Sequence, residues 1–284
     1  MQLYTIHQND TTYPARLKPL QRAPDTLYIR GTLPSADALC LAVVGTRKAS
    51  LYGRSITQRL AGATARAGVI IISGMALGID AVAHTAALEA NTPTVAVLGG
   101  GVDDESIYPR TNLMLAHEIL KNGGALVSEQ PPGTQPFGYH FPERNRIIAG
   151  LAHAVLVTEG TIKSGSLITA KIALEYGRDV FACPHNIFTT RGEGPNYLIQ
   201  HGAYPICGAD NLLEALHLTP QTTRQHHTGL AQKILDICHK EPCTLDDLAC
   251  ALSCAPSELS VAISTLELQG VVRILNGTIQ LQDV

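Results

Sequence analysis

From residue 41 to about residue 207, short aliphatic and β-branched runs alternate with stretches of helical period. The runs at 41–44, 69–72, 94–98, 125–127, 154–157, 180–183 and 204–207 are the predicted strands. Between the first two, Ile56, Leu60, Ala63 and Ala67 recur at helical spacing, Arg54, Arg59 and Arg66 lie off that stripe, and Gly68 closes the helix. Similar patterns predict helices over 79–90, 111–122, 143–150 and 166–176. Strands that are continuously apolar, each followed by a helix, imply a mostly parallel sheet covered on both faces. Residues 39–217 therefore read as a doubly wound α/β domain.

The flanks differ. Residues 1–38 carry Pro14, Pro19, Pro24 and Pro34 with one short possible strand at 27–29, and read as an N-terminal extension packed on the sheet. Residues 218–228, LTPQTTRQHHT, have almost no apolar content and read as a linker. Beyond them, 229–284 predicts a helix to about 239, helices at 244–252 and 256–269, then strands at 271–275 and 278–281 around Asn276-Gly277. Three helices followed by an Asn-Gly hairpin make a small C-terminal winged-helix domain.

Composition narrows the function. Hydrophobic residues are 45% of the chain and charged residues 16%, so it is too apolar to be disordered. A formal charge of −3 offers no bulk attraction to polyanions, and any such site must be local. The first ten residues lack the basic patch and apolar stretch of a secretory signal. The longest apolar stretch, 67–79, is broken by Gly68, Ser73, Gly74 and Gly78 and stopped by Asp80, so no membrane partner and a cytoplasmic location are expected. Seven cysteines without a CxxC pair read as reduced thiols. Cys238, His239, Cys243, Cys250 and Cys254 lack metal-knuckle spacing; Cys238 and Cys250 fall near apolar stripes and are expected to be buried. No metal or cofactor is expected.

In a doubly wound sheet, ligands bind beyond the carboxyl ends of the strands. Here those ends are small and polar: Gly45-Thr46-Arg47-Lys48, Ser73-Gly74-Met75-Ala76, Gly99-Gly100-Gly101, and the run from Glu159 through Lys163-Ser164-Gly165-Ser166. Small residues admit an anion to main-chain N–H groups, and the following helix start adds a favourable dipole, so the last run reads as a phosphate cradle. GxGxxG and GxxxxGK[ST] are both absent, which argues against dehydrogenase and P-loop chemistry. Arg144 and Arg146 cannot share one helical face, so at most one points into a given site. Phe141, with Phe137 and Tyr139 before it, offers base stacking or, alternatively, anchors a loop. Asp80 and His84, four apart, read as an acid–base pair or as a helix N-terminal acid beside a hydrogen-bonded histidine.

The ordered motifs Val44 to Arg47, Ser73 to Asp80 with Ala83-His84, Ala96 to Gly99, Tyr108-Pro109, Ser128-Glu129, Phe141 to Leu151, Ser164 to Ala170 and Tyr197 to Ala203 closely resemble the DNA-processing protein A (DprA/Smf) family. The resemblance covers about residues 10–215. It implies an extended Rossmann-like domain that binds single-stranded DNA, forms a homodimer and hands the strand to a RecA-type recombinase. Arg47, Lys48, Ser73, Gly74, Phe141, Arg144, Asn145, Lys163, Ser164, Gly165 and Ser166 are the expected DNA-binding residues; all but Lys48 map to the family's strand pocket, and Lys48 is added for its charge beside Arg47. No catalytic residue is expected. Two positions depart from the family: Gly138 stands where many members carry a basic residue, and His185 follows Pro184 where glycine is usual. About 40 residues precede the first predicted strand of the domain, without the longer N-terminal helical domain of many members, which admits a shortened paralogue in mobile-element or phage defence beside a transformation protein.

A nucleotide-binding sensor or a phosphoribohydrolase-like enzyme on a related scaffold is the competing reading, with Glu159 as its carboxylate. A third is a regulator whose winged helix reads duplex DNA. Against that stands charge: 225–284 holds three basic and seven acidic residues, and the third helix has no Lys or Arg. Such a surface repels DNA, so this domain is expected to contact protein.

Overall fold

The computed structural model describes residues 3–218, 229–238, 242–268, 271–275 and 277–281. They fall into two compact units, divided at Pro220 and Gln221.

The first unit is built on a nine-stranded sheet. Its strands are β1 (Leu3–His7), β2 (Thr26–Gly31), β3 (Cys40–Val44), β4 (Ile70–Ser73), β5 (Thr94–Val97), β6 (Ala125–Ser128), β7 (Ala154–Val157), β8 (Asp179–Ala182) and β9 (Tyr204–Pro205), in spatial order β1-β2-β6-β5-β4-β3-β7-β8-β9. From β6 to β9 every pairing is parallel. The helices are α1 (Leu51–Arg66), α2 (Ile79–Glu89), α3 (Leu113–Lys121), α4 (His140–Leu151), α5 (Gly165–Glu175), α6 (Glu193–Gln200) and α7 (Ala209–Ala215). Both sheet faces are buried, which is why the strands read as unbroken apolar runs. In β3, for example, Ala42 and Val44 enter the core on one face and Leu41 and Val43 enter the core on the other.

The chain runs outward from β3 through β4 and β5 to β6, then returns to lay β7 on the other side of β3. The strand order reverses between β3 and β7, and at such a switch point the loops diverge and leave a crevice.

The N-terminal segment is more than a covering extension. β1 and β2 form an antiparallel hairpin that continues the sheet, with Ile29 of β2 opposite Val127 of β6. The segment between them buries Tyr13, Leu17 and Leu20 in the same core, and Leu17 and Leu20 occupy the space a side chain at Gly150 of α4 would need. The predicted α1 stripe is also rotated. Its buried face uses Thr57 and Thr64, whose hydroxyls donate to the Gly53 and Leu60 carbonyls, so polar residues carry part of an apolar face.

The second unit holds α8 (Leu230–Cys238), β10 (Cys243–Thr244), α9 (Leu245–Leu252), α10 (Pro256–Leu268), β11 (Val272–Leu275) and β12 (Thr278–Leu281), with a small antiparallel sheet ordered β10-β12-β11. A capping box between Thr244 and Asp247 starts α9. Cys238 is buried as expected, whereas Cys250 is exposed, because the inward face of α9 centres on Leu248. The expected linker from 219 on, together with His239, Gln269 and Asn276, lies outside the described residues. Among the described residues no single helix is long and apolar enough to cross a membrane.

Because β2 is an integral strand, Ile29→Ala, which empties a fully buried site, should cost about 2–5 kcal/mol in urea unfolding. A loss well under about 1 kcal/mol would mean that the hairpin is only an appendage.

Candidate functional site

Three loops meet at the switch point and are stitched together by backbone. The Thr46 N–H donates to the Glu159 carbonyl at 2.7 Å, and the Ile79 N–H donates to the Thr46 carbonyl at 3.1 Å. The approach is so close that a β-carbon at Gly45 would overlap Ile79, and one at Gly78, whose φ is +80°, would overlap the Thr46 and Arg47 carbonyls. These two glycines are requirements of packing.

A buried guanidinium lies beneath the loops. Arg144 of α4 donates through Nη1 to the Gly74 carbonyl at 2.6 Å and to the Val97 carbonyl, tying the ends of β4 and β5 to α4. Burial lowers its pKa to about 10, with nearby Asp80 opposing the shift, so it is charged at neutral pH. Asp80 accepts from the Gly74 and Ala76 N–H groups at 3.2 and 3.3 Å. Burial pushes its carboxyl up, against the pull of Arg144 and these two donors. A β-carbon at Gly74 would overlap the guanidinium.

Above this frame a cavity of about 500 Å³ opens between the β3 loop, the start of α4 and the start of α5. Arg47, Phe141, Arg144, Asn145, Ser164, Gly165 and Ser166 line it, so seven of the eleven expected residues converge. Arg47 is exposed, has no hydrogen-bond acceptor among the described residues, and stands 5.0 Å from the centre of the Phe141 ring. Tyr108 lies on the same ring at 5.8 Å. Opposite, Ser164 caps α5, and its hydroxyl pairs with that of Ser166 at 2.8 Å. Asn145 donates to the Gly165 carbonyl at 3.2 Å, fixing α5 against α4. Cation, aromatic face and hydroxyl-bearing helix start thus face one volume, an arrangement that suits a phosphate joined to an unpaired base.

The other four residues sit elsewhere. Ser73 is fully buried and its hydroxyl donates to the Val43 carbonyl at 2.6 Å, so it braces neighbouring strands and does not reach the cavity. Gly74 lies at a small adjoining recess with Arg47, Tyr108 and Phe141. Lys48 and Lys163 are exposed outside the cavity wall. Arg146 turns away and holds both Glu129 oxygens at 2.6 and 2.7 Å. Phe137 and Tyr139, both exposed, stack on each other 5.9 Å apart, outside the cavity lining.

Thr46 and Thr161, which belong to the strand-end runs but are not among the expected DNA-binding residues, also line the cavity. Asn112 carried no sequence signal; it donates to the Met75 carbonyl at 2.8 Å, holding a residue with φ of +61° in place. Gly138 also lines the cavity and has open space around it. Asp80 and His84 do not pair. The Thr94 hydroxyl donates to the Ile71 carbonyl, so His84 Nδ1 must carry the proton it shares with Thr94 at 2.8 Å. Glu159 takes the Ser50 N–H at 2.8 Å and the Ser50 hydroxyl at 2.6 Å, a carboxylate committed to the start of α1.

The family model for DNA recombination-mediator protein A matches residues 4–217, three quarters of the chain. The chain belongs to this family. A second model, the DprA winged helix domain, matches residues 218–278. Protein Smf of Escherichia coli is 46% identical over 213 residues, which are 75% of this chain and 56% of that protein. The chain thus spans little more than half the length of that relative. Among solved structures, the X-ray structure of DNA processing protein A from Streptococcus pneumoniae superposes with a TM-score of 0.70 at 38% identity, over 75% of this chain and 74% of the other. A structure giving insights into the single-stranded DNA binding mode of DNA processing protein A from Helicobacter pylori superposes with 0.68 at 30% identity over 76% and 96%.

His84 supplies a pH prediction. Burial, reinforced by Arg144, lowers its pKa to about 3, so the folded protein holds it neutral. A histidine depressed in the folded state contributes stability above the unfolded value and loses it as pH falls from about 6.5 towards about 3. Urea unfolding should show a loss of about 2 kcal/mol from this group between pH 7 and pH 5, and His84→Gln should remove that part of the slope. An unchanged slope would contradict a neutral buried His84.

Proposed function

We propose that the chain binds single-stranded DNA with little sequence preference in the switch-point cavity and serves DNA recombination, protecting strands and passing them to a RecA-type recombinase. The observation that carries this reading is the exposed Arg47 guanidinium over the Phe141 ring, facing the Ser164–Ser166 helix start across the cavity. Arg47 and the α5 start hold a phosphate while Phe141 and Tyr108 offer stacking. Lys48 and Lys163 add charge at the rim without a base-edge code. Family membership and the single-strand binding of the Helicobacter pylori protein point the same way. DNA uptake and a role in mobile-element or phage defence both fit such a binder, and it acts as a cytoplasmic homodimer.

This is binding without turnover. Asp80 and Arg144 are spent on backbone groups and Glu159 on Ser50, which leaves no free carboxylate for attack at a sugar among the described residues lining the cavity. The winged-helix unit contacts protein: Glu258 and Glu267 of α10 are exposed, and that helix carries no basic residue.

Fluorescent oligonucleotides should bind as single strands in preference to duplexes and to mononucleotides. Arg47→Ala and Lys163→Ala should each weaken binding for every sequence and reduce the salt slope by about 0.7, one single-strand phosphate each. Gly138→Lys, at an open position on the cavity wall, should do the reverse. Wild-type affinity in Arg47→Ala, or release of a base or phosphate that Glu159→Gln abolishes, would overturn the proposal.

Deleting 225–284 should leave single-strand affinity intact or slightly raised while changing oligomerisation or partner binding. A large loss of DNA affinity, with the remaining unit still folded by circular dichroism, would contradict the protein-contact role.

A further inference from the structure

A second cavity, about 740 Å³, adjoins the first at Thr161, which lines both. Its walls are the start of α1, with Ser50 and Tyr52, and the segment after β8, with His185, Thr190 and Arg191; Glu159 lies in its floor.

The walls are held in place. Tyr52 donates its hydroxyl to the Pro184 carbonyl at 3.0 Å and keeps a half-exposed ring. His185 donates from Nε2 to the Thr158 carbonyl at 2.7 Å and stands edge-on to Tyr52, with ring centres 4.8 Å apart. The Asn196 amide clamps the His185 main chain through both its N–H and its carbonyl, each at 3.0 Å. A β-carbon at Gly192 would overlap the His185 side chain, so this wall depends on that glycine. Arg191 is exposed, and its guanidinium has no acceptor among the described residues.

Charge selects what fits. The buried Glu159 carboxylate disfavours a phosphate at the floor, while the Tyr52 face favours a flat, uncharged ring. Exposed Lys163, two residues from the shared Thr161, and exposed Arg191 on the cavity wall suit phosphates passing outside. We infer that this cavity is a second nucleotide subsite, in which a base of a strand anchored in the first cavity stacks on Tyr52 and its phosphate meets Arg191. The inference rests on the single-strand reading and adds to it a direction, from Ser164 across Thr161 towards Arg191.

The test uses the full chain and fluorescent oligothymidylates from about 4 to about 16 nucleotides. Wild-type affinity should step upward once the strand is long enough to span both cavities. Tyr52→Ala and Arg191→Ala should each remove on the order of tenfold at the long lengths and nothing at the shortest. Tyr52→Phe, which keeps the ring, should retain the step. In strands carrying 2-aminopurine at successive positions, one position should be quenched in wild type and Tyr52→Phe and released in Tyr52→Ala. A length profile unchanged in both Tyr52→Ala and Arg191→Ala would overturn the subsite while leaving the first cavity standing, as would an equal loss at every length. If the wild type bound no single strand, both readings would fall.

Discussion

The site depends on one buried cation. Arg144 is almost wholly out of water, and a guanidinium there is tolerable because Nη1 donates to the Gly74 and Val97 carbonyls and Asp80 lies close by, although its buried Nε has no acceptor among the described residues. Through the two Nη1 bonds it fixes the ends of two adjacent strands against α4. Gly74 has no side chain because the guanidinium occupies that space, and Asp80 gathers the Gly74 and Ala76 amides around it. The floor of the cavity is therefore rigid before any ligand arrives, which lowers the ordering cost of binding.

On that floor the charged groups divide their labour. Arg144 and Glu159 neutralise backbone and helix-start groups, and Arg146 pairs with Glu129. Arg47, Lys48 and Lys163 remain at the surface, where cations can exchange counterions for phosphate. A chain with a net charge of −3 can thus present a local cationic site without bulk basicity.

The parallel core was legible because both of its faces are buried, leaving unbroken runs such as 41–44 and 154–157. The edge strand β1 was not, since it buries only Ile6 and offers no run to read. Spacing also told that Arg144 and Arg146 must part company. It could not tell which hydroxyls face the cavity: Ser73 and Ser164 both follow the predicted strands, but Ser73 is still paired within the sheet and Ser164 lies beyond it as a helix cap. Nor could it tell that Asp80 serves amides six and four residues earlier while His84 turns to Thr94, because those partners are set by tertiary approach.

The central claim is that Arg144 builds the site and Arg47 uses it. Paired measurement of urea stability and single-strand affinity for Arg144→Lys and Arg47→Lys separates the two roles. Arg144→Lys should lose about 3–5 kcal/mol of stability, because a compact ammonium cannot serve both carbonyls and leaves buried acceptors unpaired, and binding should fall with it. Arg47→Lys should keep full stability and lose affinity, since an ammonium covers the Phe141 face poorly. The reverse pattern, a stable Arg144→Lys that no longer binds or an Arg47→Lys that unfolds more easily, would contradict the account.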